Sequence, residues 1–387
     1  MAQTRLRLVL IILTAFSFLY FTRISVFKTQ DKVQGAENSP AAPYGKSATQ
    51  TSAKSIRRRV VAVADLHGDL EHALSVFRMA GLLPPYPSVS TDWIGGHDIL
   101  VSTGDIVDRG DDTIKLYQLF QKMRKESQAA GGRVVNLVGN HEVMNALGDW
   151  RYVTQGDIES FGGRTARRAA MSSTGWIGKD WLENYNVTAR VPLLPPQHPS
   201  LPSGYSPPSA SFVHGGITSR YAGIGIDEIN RVGRSLLRKG LEDPEPSGRY
   251  PHGVTRDEMD LWSEDGPLWY RGYAYNDNDA ACKEAHEATQ SLGVKHLVMG
   301  HTPHFKGFVV RCPSSEILLI DTGISRAYGG EQSALIIDTE LTRMMASDGE
   351  KAPQEGQIKW RETEVLTALY KGRRPKVIDR LERTLWL

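Results

Sequence analysis

The chain has 387 residues, of which 40% are hydrophobic and 23% charged, with a formal net charge of +2. That is enough apolar material for one large domain or two ordinary ones, and the near-neutral balance excludes the basic footprint of a general nucleic-acid binder. Two cysteines, Cys282 and Cys312, exclude a disulfide framework and a four-thiolate zinc site, while one bridge between them leaves the redox compartment open.

The chain begins with a distinct segment. Leu8–Phe21, LVLIILTAFSFLYF, carries no charge and follows Arg5 and Arg7. On its own it has the length of a signal-peptide apolar region; extended to Phe27 it reaches span length and must hold Arg23, a side chain able to snorkel to an interface. No small-residue cleavage pattern follows, so residues 1–27 are expected to form an uncleaved signal anchor in the secretory pathway. A cleaved signal peptide and a mitochondrial presequence are the other readings, the latter because no acid precedes Asp31. Basic residues flank the segment on both sides, so orientation is not chosen. Asn186-Val187-Thr188 is the single glycosylation sequon.

Residues 28–55, rich in Ala, Ser, Thr, Gln, Lys and Pro without periodicity, read as a flexible stalk. Arg57-Arg58-Arg59 then read as a solvated entry to the first strand. Short apolar runs follow at Val60–Ala64, Asp98–Val101, Val134–Val138, Ser211–His214, His296–Met299, Glu316–Ile320 and Ala334–Asp338. Between the first three lie amphipathic patterns after Asp69 and Asp112, both placed as helix caps. Strands alternating with such helices predict an α/β domain with buried sheets. Pro84–His97 and the proline-rich Pro192–Ser209 are expected loops. The catalytic body is placed at residues 56–340, followed by a tail, 341–387, whose end (Val377–Leu387) is expected to dock as a helix.

Five of these strands end in polar punctuation: DLHGD (Asp65–Asp69), GDIVDRG (Gly104–Gly110), GNHE (Gly139–Glu142), HGG (His214–Gly216) and GHTPH (Gly300–His304). In open α/β sheets the carboxyl ends of the strands build the site. Singly, each Asp is more often a helix cap and each His a structural residue. Together they bring Asp65, His67, Asp105, Asn140, His214 and His301 to one crevice, an oxygen and imidazole set suited to Mn²⁺, Fe or Zn²⁺.

The ordered motifs resemble the phosphoprotein phosphatases of the calcineurin-like metallophosphoesterase family. GNHEVMN, GPLWYRGYA (Gly266–Ala274), MGHTPH and DTGIS (Asp321–Ser325) are similar to the Shewanella-like, bacterial-type branch. Ala64 departs from the glycine usual before the first metal Asp, and the SAPNYC-type segment of the better-known Ser/Thr phosphatases is absent. The resemblance implies two packed β-sheets flanked by helices, with a dimetal site at the strand ends. It implies that Asp65 and His67 hold one divalent ion, that Asn140, His214 and His301 hold a second, and that Asp105 bridges both. Asn140 then also lies against the substrate phosphate. His141 is expected to be the general acid, oriented by Asp108, and Arg109 to clamp the phosphate with a planar fork.

Arg271 is the candidate for a second phosphate clamp, with Trp269, Tyr270, Tyr273 and Tyr275 as a pocket wall for an aromatic leaving group. His304 is placed either beside the ligands or on a surface loop. Arg164, Arg167 and Arg168 are read as a solvated helical face. The expected activity is a Mn²⁺-dependent protein phosphatase, in line with the phosphotyrosine preference of some members of the similar branch. A nucleotide or polyphosphate phosphohydrolase, and a silent binding scaffold, are the rival readings. The substrate is accordingly a phosphorylated protein or a small phosphoester, with the membrane as partner through the N-terminal segment.

Overall fold

A computed structural model describes residues 55–345, 354 and 356–387. The expected anchor and nearly all of the stalk lie outside them. Among the described residues no helix is long and apolar enough to cross a membrane.

Among the described residues, twelve strands build two sheets: β1 (Ser55–Val63), β2 (Ile99–Ser102), β3 (Arg133–Leu137), β4 (Tyr185–Asn186), β5 (Thr188–Pro192), β6 (Ser209–Val213), β7 (His296–Met299), β8 (Val309–Arg311), β9 (Ile317–Leu319), β10 (Ser333–Arg343), β11 (Lys359–Tyr370) and β12 (Lys376–Trp386). The larger sheet runs β12-β11-β10-β1-β2-β3-β4 and the smaller β5-β6-β7-β9-β8.

The period-two geometry of a strand explains how the sheets pack. Along β1, Val60 and Ala62 face the layer between the sheets, where they meet Phe212, Val298 and Leu318 of the smaller sheet. Val61 and Val63 face the other way, into the core beneath the helices with Phe77, Leu116 and Phe120. Both faces of β1 are therefore apolar, as a sheet covered on two sides requires. The helices Leu70–Met79 and Thr113–Ala129 contribute to that outer layer.

The parallel pairings carry the functional consequence. β1, β2, β3 and β4 run parallel to one another, as do β6, β7 and β9. The carboxyl ends of β1, β2, β3, β6, β7 and β9 carry the polar motifs.

Two expectations are corrected here. Val377–Leu387 is not a helix: β12 pairs antiparallel with β11, which pairs with β10. β11 would otherwise present a row of unpaired backbone groups, and a hydrogen-bonded neighbour satisfies them better than a helix packed on top. The outer strand is mostly exposed and carries Lys376, Arg380, Glu382 and Arg383, charges that protect a sheet edge from further pairing. The basic cluster expected as a solvated entry lies within β1 itself, and of its three arginines only Arg57 is exposed. Arg57 pairs with Asp338, and Arg59, 7% exposed, pairs with Asp98. Arg58 donates to the Pro192 and Leu194 carbonyls at the start of the proline-rich loop.

Candidate active site

The six ligand candidates and His141 come together at the strand ends, all buried. The approach is close enough to require glycine. A methyl group on Gly139 would collide with the Asp105 carboxylate, and one on Gly300 with that of Asp65. Five of the seven described non-glycine residues with positive φ belong here: His67, Asp105, Asp108, Arg109 and His301. Left-handed backbone costs a branched L-residue energy, so its concentration marks a constrained site.

The hydrogen bonds of three histidines fix their tautomers. His67 Nδ1 donates to the Val107 carbonyl at 3.1 Å and His214 Nδ1 to the Thr103 carbonyl at 3.0 Å. His301 does the reverse, its Nε2 donating to the Trp269 carbonyl at 3.2 Å. A carbonyl only accepts, so the opposite nitrogen of each ring is left for the site, the arrangement metal-ligating histidines use. His67 Nε2 lies 3.7 Å from Asp105 Oδ2 and His214 Nε2 3.3 Å from the same oxygen. One carboxylate oxygen thus stands between two groups, His67–Asp105–His141 and Asp105–His214–His301, each with the spacing to hold an ion.

The electrostatics ask for a cation. Burial pushes the Asp65 carboxyl well up, reinforced by the charge of Asp321. Asp321 itself is raised to about 6, by burial first and then by Asp105. Burial also raises Asp105, but His214 and His141 outweigh it and hold it well below the usual carboxylate range. Burial lowers His67 to about 4 and carries His301 down as well. His214 goes the other way: against burial, Asp105 and Asp65 lift it to about 9, and its Nε2 meets Asn140 Oδ1 at 2.7 Å. A divalent ion held among these carboxylates would supply the positive charge that this proton now provides. The residues therefore fit divalent metal ions.

His141 differs from the ligand candidates. Its Nδ1 meets a carboxylate rather than a carbonyl, Asp108 Oδ2 at 2.6 Å, and its Nε2 faces the site 3.8 Å from Asp105 Oδ2. Burial lowers its pKa, but Asp105 and Asp108 prevail and raise it. An imidazole favoured in its charged form with one nitrogen aimed at the site can deliver a proton. Arg109 lies alongside, its guanidinium 4.3 Å from the Tyr152 ring and 4.9 Å from the Tyr328 ring. Such cation–ring contacts hold the fork in place while its N–H groups stay available to an oxyanion.

Arg271 is brought to the rim, where Nη1 donates to the His301 carbonyl at 2.9 Å and Thr302 Oγ1 at 3.0 Å. The aromatic wall is rearranged relative to the expectation. Tyr273 is buried and donates to the Ile217 carbonyl, Tyr270 packs on Tyr273, and Tyr275 is 71% exposed. Only Trp269 of the four lines a groove of about 320 Å³, together with Met144, Tyr152, Trp262 and the charged Asp149, Arg151 and Glu264. Two of its rings also meet site histidines, Tyr152 at 5.0 Å from the His141 ring and Trp269 at 5.5 Å from that of His301. His304 is half-buried and donates its backbone N–H to the Asp321 carbonyl.

Sequence reasoning missed Asp321 as a site residue, although the strand EILLI runs into Asp-Thr-Gly as β2 runs into Gly-Asp. It also missed Tyr152 and Tyr328, which lie in irregular segments with no periodic signal. Arg167 is corrected outright: it is fully buried, whereas its neighbours Arg164 and Arg168 are exposed. The two cysteines are joined, Cys282 to Cys312, tying the helix Asn278–Leu292 to the end of β8.

The calcineurin-like phosphoesterase family matches residues 58–305. An uncharacterized protein of Schizosaccharomyces pombe is 38% identical over 291 residues, 73% of this chain and 78% of its own. Shewanella-like protein phosphatase 2 of Arabidopsis thaliana is 28% identical over 313 residues, covering 69% of this chain and 72% of its own. Among solved structures, the cold-active protein-tyrosine phosphatase of a psychrophilic Shewanella species aligns with a TM-score of 0.55 at 23% identity, over 78% of this chain and 77% of that one. That last likeness is one of fold. Combined with the strand-end site, the family match and the fission-yeast relative establish that this chain belongs to the calcineurin-like phosphoesterases and is a hydrolase of that family.

Proposed function

We propose that the chain is a metal-dependent protein phosphatase with a preference for phosphotyrosine. The observation that carries the reading is the placement of the His141–Asp108 pair and the Arg109 fork beside a buried ligand set of matching chemistry. Asp65 and His67 would hold one ion, Asn140, His214 and His301 a second, and Asp105 both, with Mn²⁺ the first metal to test. Divalent ions there supply positive charge against the phosphate oxygens and a water acidified for attack on phosphorus.

The chain supplies the rest. Arg109, packed against Tyr152 and Tyr328, offers paired N–H groups to phosphate oxygens, and Arg271 adds a second cation at the rim. As the bond from phosphorus to the leaving oxygen breaks, its electron pair stays on that oxygen, which takes the proton from His141 Nε2. Asp108 holds the ring through Nδ1 and balances its charge. The leaving group consequently departs on the His141 side, next to Tyr152, which with Trp262 and Trp269 forms the aromatic part of a groove that also carries Asp149, Arg151 and Glu264. Aromatic rings there suit an aromatic leaving group, and the charges suit the polar backbone of a peptide. The names of the relatives, a Shewanella-like protein phosphatase and a protein-tyrosine phosphatase, agree with this reading.

The N-terminal segment is proposed to anchor this body to a membrane of the secretory pathway, residues 28–55 serving as the stalk. The Cys282–Cys312 disulfide supports an oxidising compartment.

The test strips the protein with chelator, restores Mn²⁺, and measures phosphate release from matched phosphotyrosine and phosphoserine peptides, with polyphosphate in parallel. Faster turnover of the phosphotyrosine peptide is expected. Turnover of polyphosphate alone overturns the protein-phosphatase reading.

A further inference from the structure

One charged side chain is fully buried next to this machinery without touching the substrate space. Arg167 lies on the helix Arg164–Met171, with no exposure and its guanidinium 4.7 Å from the Trp150 ring. Its Nε donates to Asp157 Oδ2 at 2.8 Å and its Nη1 to Asn145 Oδ1 at 2.7 Å. Nη2 has no hydrogen-bond partner and lies 3.7 Å from Asp108 Oδ1.

The middle member of this chain gives it direction. With its oxygen fixed by Arg167, the Asn145 amide must turn its Nδ2 inward, where it donates to Asp108 Oδ1 at 2.9 Å and to the His141 carbonyl at 2.9 Å. Asp108 is thereby gripped on Oδ1 while Oδ2 receives His141 Nδ1. A buried ion pair with Asp157 alone is no economy for a fold, since apolar residues of similar volume commonly do as well. An apolar pair would not set the amide of Asn145 or place a cation beside Asp108.

We infer that Arg167 is a positioning residue for the general acid, acting through Asn145 and Asp108 to hold the His141 ring where Nε2 meets the leaving oxygen. This rests on the reading of His141 as the acid. Small rotations of a proton donor away from its acceptor cost rate without affecting substrate binding.

The discriminating experiment uses the full-length protein loaded with Mn²⁺ and two leaving-group classes. A phosphotyrosine peptide needs a proton on the departing oxygen; 2,4-dinitrophenyl phosphate does not. Arg167→Met is expected to lower kcat on the peptide about 10–100-fold and on the dinitrophenyl ester less than about 3-fold, with KM unchanged. Asn145→Ala removes the link while leaving the Arg167–Asp157 pair intact, so it serves if Arg167→Met fails to fold, and the same split is expected. Equal losses on both substrates, or no loss, overturn the inference. His141→Asn separates the two levels. If it shows the split and the other variants do not, only the role of Arg167 falls; if it shows none, the acid reading falls and takes this inference with it.

Discussion

Two buried imidazole–carboxylate pairs in this protein look alike and are connected differently. His141 meets Asp108 at 2.6 Å at the end of β3, and His296 meets Glu364 at 2.7 Å in the layer between the sheets. Both histidines and both carboxylates are buried. The difference is the second nitrogen. His296 Nδ1 is taken by the Ser315 carbonyl at 2.7 Å, so the ring is fully committed. His141 Nε2 faces the ligand cluster instead. Around Glu364 stand Lys295 and Thr339, and Lys295 also reaches Glu362, which Arg383 and Tyr205 hold from the other side. That network joins β7 of one sheet to β11 and β12 of the other. Burial and pairing alone therefore do not separate the two pairs; the nitrogen that His141 leaves facing the candidate site does.

The comparison breaks most readily at His141. His141→Asn should cost about 10²–10⁴-fold in kcat on a phosphotyrosine peptide, while the denaturant midpoint stays near that of the parent. A loss of stability with little loss of rate would move His141 into the structural class with His296. Next in size, Asp105→Asn is expected to weaken metal binding by at least about 100-fold and to remove activity in proportion. Metal content by elemental analysis after dialysis checks it, and full retention of both ions with full activity would refute the bridging role.

His296→Leu should behave in the opposite sense. It leaves kcat within about 2-fold yet destabilises by roughly 3 kcal/mol, because Glu364 loses its principal partner in a buried setting. The double variant His296→Leu/Glu364→Leu should regain most of that loss in a urea titration. A rate defect in His296→Leu at unchanged stability would contradict the division drawn here.

The smallest effect is on pH dependence. Burial raises the Glu364 carboxyl, but His296 and Lys295 outweigh it and hold the pKa below the ordinary 4.5. A carboxyl depressed in the folded state contributes stability that is fully present above its unfolded pKa and is lost as pH falls through the folded value. Melting temperature should therefore decline with acidification below about pH 4.5, and less steeply in the double variant. Equal slopes would remove the inter-sheet pair from the explanation.

Much of the site was legible because its chemistry is local. Each polar motif follows an apolar strand within two or three residues, so the residues gathered at the candidate site read directly from DLHGD, GDIVDRG, GNHE, HGG and GHTPH. The strands themselves were legible from apolar runs: β1, β2, β3, β6, β7, β9 and β10 all overlap the predicted segments. Asp69 caps its helix by accepting from His72 N, and Asp112 occupies the cap position without a cap hydrogen bond from its side chain.

What the sequence could not disclose depends on contacts between distant segments. Arg167, Asn145 and Asp157 are ordinary polar residues in short helices, and only the packing of those helices behind Asp108 makes them a unit. Tyr152 and Tyr328 both reach Arg109 because loops 176 residues apart meet there. The C-terminal segment carries a helix-like spacing of apolar residues, yet becomes β12 because the open edge of β11 offers it a ladder of hydrogen bonds. Strand-end chemistry is set by neighbours in the chain and survives as a one-dimensional pattern. The orientation of the His141 ring, the packing around Arg109 and the choice between helix and strand at a sheet edge are set by neighbours in space.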